Sequence, residues 1–283
     1  MKDQFRFGVL GHGISYSKSP ELFQAIFDIK GVGGTCDVFD IPPDEFVARF
    51  PRLVKSGIDG LSVTIPYKKK VVDFLSRVDP VAASLGAVNS IKIDGSNTFG
   101  YNTDCYGFAM PLREYREKLN GGSALILGCG GVAGAIVHSL CHDFGIRRLT
   151  IVGRTPERLE TFATGAGQRH EDVHIETACH PVADDGRSDA WDIIVNGTPL
   201  GGWNHPETSP LPDHFTWPRG AIYYDANYNE NNRMIKQAQE MGLTAIDGSA
   251  MLIWQATRSF FLWTGEEVAF DPVYRRVFGK RGG

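Results

Sequence analysis

Two side chains in the N-terminal part of the chain are of types that move protons beside a carbon–oxygen bond. Lys68 closes the segment Ser62-Val63-Thr64-Ile65-Pro66-Tyr67-Lys68, and Asp104 ends the tetrapeptide Tyr101-Asn102-Thr103-Asp104. A lysine can accept a hydroxyl proton and return it, which is general acid–base work. A carboxylate nearby favours the ammonium form, so Asp104 is expected chiefly to orient lysine and substrate. Small hydrogen-bonding residues crowd both: Thr64, Asn89 in Gly86-Ala87-Val88-Asn89, Asn102 and Thr103. Such a set suits a polyhydroxylated small molecule whose hydroxyl becomes a ketone. Against this, lysines in a run such as Lys68-Lys69-Lys70 are usually solvated, and an Asp ahead of a helix usually caps it. Position separates Lys68 from its neighbours, because it lies just beyond a strand that Pro66 stops. Lys69 and Lys70 keep the solvated reading.

A second constellation begins at Gly128. Gly128-Cys129-Gly130-Gly131-Val132-Ala133-Gly134 follows the apolar run Ala124–Leu127 and satisfies G-x-G-x-x-A, with Gly128, Gly130 and Ala133 at the fingerprint positions. Glycines there allow a tight turn and bring backbone amides against a pyrophosphate at a helix N-terminus. The next strand ends Val152-Gly153-Arg154-Thr155, with Arg158 one turn on and no acid at the tip. An NAD site wants Asp or Glu there, whereas two guanidiniums and a hydroxyl suit a 2′-phosphate. NADP is therefore the expected cofactor, the alternative being a solvated helix start. Near the N-terminus, Gly11-His12-Gly13-Ile14-Ser15-Tyr16-Ser17-Lys18-Ser19-Pro20 places several hydroxyls just after a strand. Ser19 reads as a helix N-cap, which leaves Ser17 without a structural explanation.

These residues need an α/β frame. Strands are expected at 7–10, 35–41 and 60–65, with helices starting at Ser19-Pro20, after Asp44 as cap, and at Lys68. A hairpin follows over 88–93 and 98–101 with Asp94–Asn97 as its turn, then a helix over 106–118 and a hinge at Asn120-Gly121-Gly122. Beyond it, strands at 124–127, 149–152, 173–176, 191–195 and 221–225 alternate with helices, which is a doubly wound series. After Gly248 no strand candidate remains, and Ala250–Trp263 reads as one long helix. The expected organisation is an N-terminal α/β substrate domain, a Rossmann-like NADP-binding domain, and C-terminal helices returning to the first: 1–105 with 248–283, and 106–247.

Composition narrows the partners. The chain has 283 residues, 42% apolar and 22% charged, with a net charge of −4. No basic face beyond Lys68–Lys70 offers a nucleic-acid footprint. No apolar run approaches the ~20 residues that span a bilayer. A strand begins almost at once, which leaves no room for a signal peptide. Five unpaired-looking cysteines fit reduced thiols in the cytoplasm. Oligomeric state is open, a homodimer being compatible with the sequence. His170-Glu171-Asp172-Val173-His174 is a literal H-E-x-x-H. Zinc needs that motif on a helix, and here a β-like Val-His-Ile-Glu follows, so no metal is expected.

Taken in order, the segments resemble the shikimate dehydrogenase family. Ile14, Ser17, Ser19 and Pro20 match its G-x-P-I-x-H-S-x-S-P, and Val63, Thr64, Pro66 and Lys68 match N-V-T-x-P-x-K. Gly86–Asn89 matches G-A-V-N, Asn102–Asp104 matches N-T-D, and Asn196, Thr198 and Gly201 match N-x-T-x-x-G. Gly248, Met251, Leu252, Gln255 and Ala256, then Trp263-Thr264-Gly265, match the C-terminal motifs. The resemblance implies reversible reduction of 3-dehydroshikimate to shikimate with NADPH, a step toward chorismate and the aromatic amino acids. It implies Lys68 and Asp104 as the catalytic pair, with Ser17, Ser19 and Thr64 on the substrate carboxylate. Asn89, Asp104 and Gln255 would bind ring hydroxyls, and Tyr228 joins the substrate set. Gly128, Gly130, Gly131, Val132, Ala133, Arg154, Thr155, Arg158, Asn196, Thr198, Gly248 and Met251 would serve the cofactor. The rim departs from the pattern: Gly13 replaces Pro, Tyr16 His, Phe23-Gln24 His-Asn, Ser62 and Gly153 Asn, Glu230 and Arg233 the Pro and Thr of Y-N-P-x-x-T, and Ser249 an apolar residue. A related acid such as quinate, with either nicotinamide cofactor, and a non-catalytic sensor of the metabolite or cofactor are the alternatives.

Overall fold

The computed structural model describes residues 4–180, 191–202, 205–229 and 232–279. Glu230 lies outside them. The chain divides into two compact units, Met1–Gly107 with Ile253–Gly283, and Phe108–Leu252.

In the first unit the elements run β1 (Gln4–Gly11), α1 (Ser19–Lys30), β2 (Gly33–Asp40), α2 (Phe46–Val54), β3 (Gly60–Val63), β4 (Arg77–Val78), α3 (Pro80–Leu85), β5 (Ser90–Asp94) and β6 (Asn97–Tyr101). They build a six-stranded sheet in the order β2-β1-β3-β5-β6-β4. β2, β1 and β3 are parallel, so Asp40, the loop after Gly11 and Thr64 all emerge at one end of the sheet. Crevices at the carboxyl ends of parallel strands are where ligands collect in such folds. The helix expected from Lys68 is only a 3₁₀ turn, Lys70–Phe74. Neither Ser19 nor Asp44 caps its helix, since Lys18 and Glu45 hold the cap positions and neither side chain bonds the helix amides.

Phe7 of β1 sits in an aromatic cluster with Phe23 and Phe27 of α1 and with Phe260 and Trp263 near the C-terminus, at ring-centroid distances of 5.3, 5.2, 6.1 and 4.7 Å. Each such pair contributes about 0.5–1.5 kcal/mol beyond its buried area. Phe23 also stacks on Trp263 at 5.2 Å, which accounts for an aromatic residue at that position.

The second unit starts earlier than the expected hinge, because Phe108, Leu112 and Leu119 are already buried in its core. The helix expected over 106–118 is broken at Pro111 into α4 (Asp104–Ala109), a 3₁₀ segment and α5 (Arg116–Leu119). Then come β7 (Ser123–Leu127), α6 (Ala133–His142), β8 (Arg148–Gly153), α7 (Pro156–Arg169), β9 (His174–Cys179), β10 (Ile193–Asn196), β11 (Ile222–Asp225), α8 (Arg233–Glu240) and β12 (Thr244–Ile246). All pairings are parallel in the order β12-β11-β10-β7-β8-β9, a doubly wound sheet whose order reverses between β7 and β10. α9 (Gly248–Thr264) and α10 (Phe270–Phe278) close the chain. Met251 packs in the second core, which carries that unit past Gly248 to Leu252.

Candidate active site and dinucleotide cavity

The β5–β6 hairpin carries Asp104 to Lys68. Its register pairs Ser90 with Tyr101 and Asp94 with Asn97, so Asn89 and Asn102-Thr103-Asp104 leave its open end together. That end is laid along the Thr64–Lys68 segment by bonds from Val63 N to Asn89 O (2.7 Å) and from Val88 N to Lys68 O (2.7 Å). Lys68 Nζ donates to Asp104 Oδ2 at 2.6 Å, with the two side chains only 15% and 9% exposed. Asn89 Nδ2 donates to Asp104 Oδ1 at 2.8 Å and to Thr103 Oγ1 at 3.0 Å, while its Oδ1 accepts from Thr103 N at 2.6 Å. Thr103 Oγ1 lies 3.1 Å from Ser259 Oγ, which donates to the Gln255 carbonyl at 2.9 Å. Both oxygens of Asp104 are thus engaged away from the helix it begins, Oδ1 by Asn89 and Oδ2 by Lys68. Charge-assisted bonds in a shielded site are short and directional, which fixes the lysine in one rotamer.

The flanking residues are anchored by backbone bonds. Thr64 N donates to Leu10 O at 2.9 Å, and Tyr67, fully buried, bonds the Ile41 carbonyl through its hydroxyl at 2.5 Å. The Ile65–Pro66 peptide is cis. Ser17 and Ser19 are half-buried, and Ser17 Oγ donates to Ser19 Oγ at 3.2 Å. Gln255 is half-buried on α9, and Tyr228 half-buried after β11.

In the second unit a cavity of about 240 Å³ opens where the strand order reverses. Gly128, Cys129 and Gly130 line it after β7; Arg154, Thr155 and Arg158 after β8; Gly197 to Leu200 after β10. Gly128 has φ +102°, and a Cβ there would come within 2.9 Å of Thr198 Cγ2. A Cβ on Gly130 would meet nothing within 4 Å. One glycine is demanded by the turn and the other faces open space, as close approach of a pyrophosphate requires. The residues therefore fit a dinucleotide, with two exposed guanidiniums at the end of β8. Gly153 lets Cys129 in: a Cβ on it would be 3.2 Å from the Cys129 sulfur.

Not every expected cofactor residue lines this cavity. Gly131 and Val132 lead into α6, and Ala133 is buried. Gly248 bonds its N–H to Asn227 O at 2.9 Å, and Met251 is core. Asn196 is fully buried, donating to Leu200 O (2.9 Å) and Asp225 Oδ2 (3.0 Å) and accepting from Thr198 N (3.0 Å) and Oγ1 (2.7 Å). It shapes the Thr198 loop instead of reaching the cavity. His180 and His205 do line it, His180 Nε2 lying 3.1 Å from Pro210 O. No motif marks them, since they arrive from unrelated segments.

Asp225 is a buried hub that the motif reading passes over. Its carboxylate accepts from Tyr223 Oη (2.8 Å), Asn196 Nδ2 (3.0 Å) and Asn232 Nδ2 (2.9 Å) on one oxygen, and from Asn227 N (2.9 Å) and Nδ2 (2.8 Å) on the other. Burial pushes its carboxyl above the usual range, while bonds from Asn232, Asn196, Asn227 and Tyr223 pull it down. Asn227 Nδ2 also donates to Thr198 O at 2.9 Å, so the loops after β10 and β11 are tied through one group.

The H-E-x-x-H residues are split between elements. His170 follows α7, and His174 is on β9 bonded to Glu176 at 3.2 Å. Among the described residues no group of three or more ligating side chains is placed to hold a metal ion. His170 instead lies beside His138 at 6.0 Å between ring centroids. Burial, then the neighbouring His138 and Arg169, hold its imidazole below the usual value of 6.5, with Asp172 opposing and His142 adding a little. The fold therefore binds fewer protons there than the unfolded chain, and stability is lost as pH falls through about 6.5. His170→Gln is expected to flatten the loss between pH 7 and 5.5 in urea melts; an unchanged slope would remove His170 as its source.

Fold and site define a class: an α/β oxidoreductase with a Rossmann unit and a separate unit bearing a buried lysine–carboxylate pair. Comparison with known proteins narrows it. A family model described as the shikimate dehydrogenase substrate binding domain matches residues 9–91, and one described as the shikimate 5′-dehydrogenase C-terminal domain matches 248–278. The NADP(+) shikimate dehydrogenase of Moorella thermoacetica is 36% identical, over 97% of this chain and 94% of that protein. Among solved structures, shikimate 5-dehydrogenase from Thermus thermophilus in complex with NADP(H) and shikimate aligns with a TM-score of 0.82 at 27% identity, covering 96% and 98% of the two chains. Quinate dehydrogenase from Corynebacterium glutamicum in complex with NAD aligns at 0.86 and 26%, covering 97% and 99%. The chain belongs to the shikimate dehydrogenase family.

Proposed function

We propose that this chain oxidises shikimate to 3-dehydroshikimate, and reduces it back, with NADP as redox partner. The observation that carries this is Lys68 Nζ at 2.6 Å from a carboxylate that Asn89 clamps from the other side. When bound, NADP⁺ supplies the hydride acceptor. Lys68 as the neutral amine takes the hydroxyl proton as the carbonyl forms, and as the ammonium returns it in reverse. Asp104 keeps Nζ in place and retains lone pairs for a ring hydroxyl. Ser17, Ser19 and Thr64 donate to the substrate carboxylate, and Gln255 and Tyr228 complete the substrate set.

Arg154, Thr155 and Arg158 hold the 2′-phosphate, beside the glycine loop that takes the pyrophosphate. Arg154→Ala with Arg158→Ala is expected to raise KM for NADP⁺ roughly tenfold to hundredfold, the scale of lost bonds to a charged group. KM for NAD⁺ should stay near its original value; equal losses would count against the assignment. Quinate is the second reading, because a quinate dehydrogenase aligns at a TM-score of 0.86, as two shikimate dehydrogenases do. One spectrophotometric comparison of shikimate and quinate with each cofactor decides between them, and ligand-induced thermal stabilisation without turnover would point to a sensor. No helix among the described residues is long and apolar enough to cross a membrane. A cytoplasmic location and a homodimer are further expectations, the latter decided by light scattering.

A further inference from the structure

The loop leaving β1 is held from two sides, and one holder is a carboxylate with no part in the reaction above. On one side His12 N donates to Ile65 O at 3.0 Å, tying the loop to the Thr64–Lys68 segment. On the other stands Asp40, the last residue of β2 and the register partner of Gly11. Its Oδ1 accepts from Gly13 N at 3.0 Å and pairs with His12 Nδ1 at 3.1 Å; its Oδ2 accepts from Ile14 N at 3.2 Å.

Gly13 makes this grip possible. It takes φ +66°, which presents successive N–H groups to one anion. Proline can neither adopt that φ nor donate. Downstream, Ile14 is 2% exposed, its carbonyl accepts from Ser17 N at 2.9 Å, and Ser17 Oγ bonds Ser19 Oγ at 3.2 Å. The path from Asp40 to the serine pair is therefore continuous. A lone surface carboxylate contributes little. This one is met by two backbone amides and an imidazole, and these, the Gly13 amide foremost, keep its carboxyl below the usual range. The same donors offset its repulsion of an anionic substrate nearby.

We propose that Asp40 is a positioning residue for substrate binding: by gripping the Gly13–Ile14 turn it sets the spacing of Ser17 and Ser19 for the substrate carboxylate. This rests on the assignment of those serines made above, and the experiment separates the two. Calorimetric dissociation constants for shikimate, with KM and kcat, are measured on the full chain and on Asp40→Ala, Asp40→Asn, Gly13→Pro, the Asp40→Ala/Gly13→Pro double variant, and Ser17→Ala as reference. Asp40→Ala is expected to weaken shikimate binding about threefold to thirtyfold, the scale of one to two lost bonds. kcat, KM for NADP⁺ and the melting temperature should stay near wild type. Asp40→Asn, keeping one acceptor oxygen, should fall between. Gly13→Pro removes the Gly13 N–H and the φ of +66° on which the turn depends, so it should also weaken binding, and the double variant should lose less than the sum of the two, since both act on one grip.

If Ser17→Ala weakens shikimate binding and Asp40→Ala does not, the grip is wrong and the serine assignment survives. If Ser17→Ala has no effect, that assignment fails and the proposal with it. Parallel losses in kcat, both KM values and melting temperature for Asp40→Ala would mark a merely structural role and overturn it too.

Discussion

Lys68→Ala is expected to lower kcat at least ~100-fold, the lower end of what a positioned general acid–base contributes. KM for shikimate should change far less, because the carboxylate contacts assigned to Ser17, Ser19 and Thr64 do not involve the lysine. The effect should appear in single-turnover hydride transfer, where product release cannot hide it. Removing the ammonium also strands Asp104, a buried carboxylate still held through Oδ1 by Asn89. Some stability should therefore be lost as well, as expected when one member of a buried ion pair is deleted. Lys68→Met keeps the stem and separates the two effects: its kcat should be as low, since no transferable proton remains. Near-normal turnover by either variant would sink the assignment of Lys68 as the proton-transfer group.

Asp225→Ala is expected to be the most destabilising single change in the second unit. It deprives Tyr223, Asn196, Asn232 and Asn227 of their common acceptor. Each buried donor left unpaired costs about 1–3 kcal/mol, and breaking a buried charged network typically costs about 3–5 kcal/mol in total. For a chain of this size that lowers the melting temperature by roughly 6–20 °C. Asp225→Asn keeps the shape and one acceptor oxygen, so it should lose less. Because the hub ties Thr198 to the segment after β11, the surviving protein should bind NADP⁺ more weakly while binding shikimate nearly normally. A melting temperature within a degree of wild type for Asp225→Ala would show that the hub is dispensable.

The departures at the rim become intelligible once their neighbours are known. Phe23 stands in the Phe7–Trp263 cluster, and Gly153 gives way to Cys129. Ser249 bonds its N–H to Asp247 at 2.9 Å at the start of α9 and takes its hydroxyl to the same carboxylate. Gly13 is matched to Asp40. Phe23, Gly153 and Gly13, each unlike the family pattern, are paired with residues that a linear reading has no reason to connect, whereas Ser249 bonds a near neighbour in the chain. Other misreadings had local causes. β4 and β12, with two and three residues, are too short to show a period. Ser19 and Asp44 looked like caps because a side chain's preference is legible, whereas its actual partner is not.

By itself the sequence determined the two-unit α/β plan, the glycine loop after an apolar strand and the basic tip of β8, and it singled out Lys68 and Asp104 as a candidate reactive pair, which the fold brings to 2.6 Å. These are local properties: strand periodicity, the φ freedom of glycine, and the chemistry of side chains in short motifs. Tertiary structure alone decided the rest. It gave Asn89 a bond to Asp104, placed Asn196 against Asp225 and Gly248 against Asn227, and packed Met251 in the second core. It also made Asp40 an anchor of the loop after β1, and Asp225 an anchor of the loops after β10 and β11. The physical reason is common to all of them. A hydrogen bond reports on two groups, and the sequence names each group without saying which distant partner the register of a sheet will set within 3 Å of it.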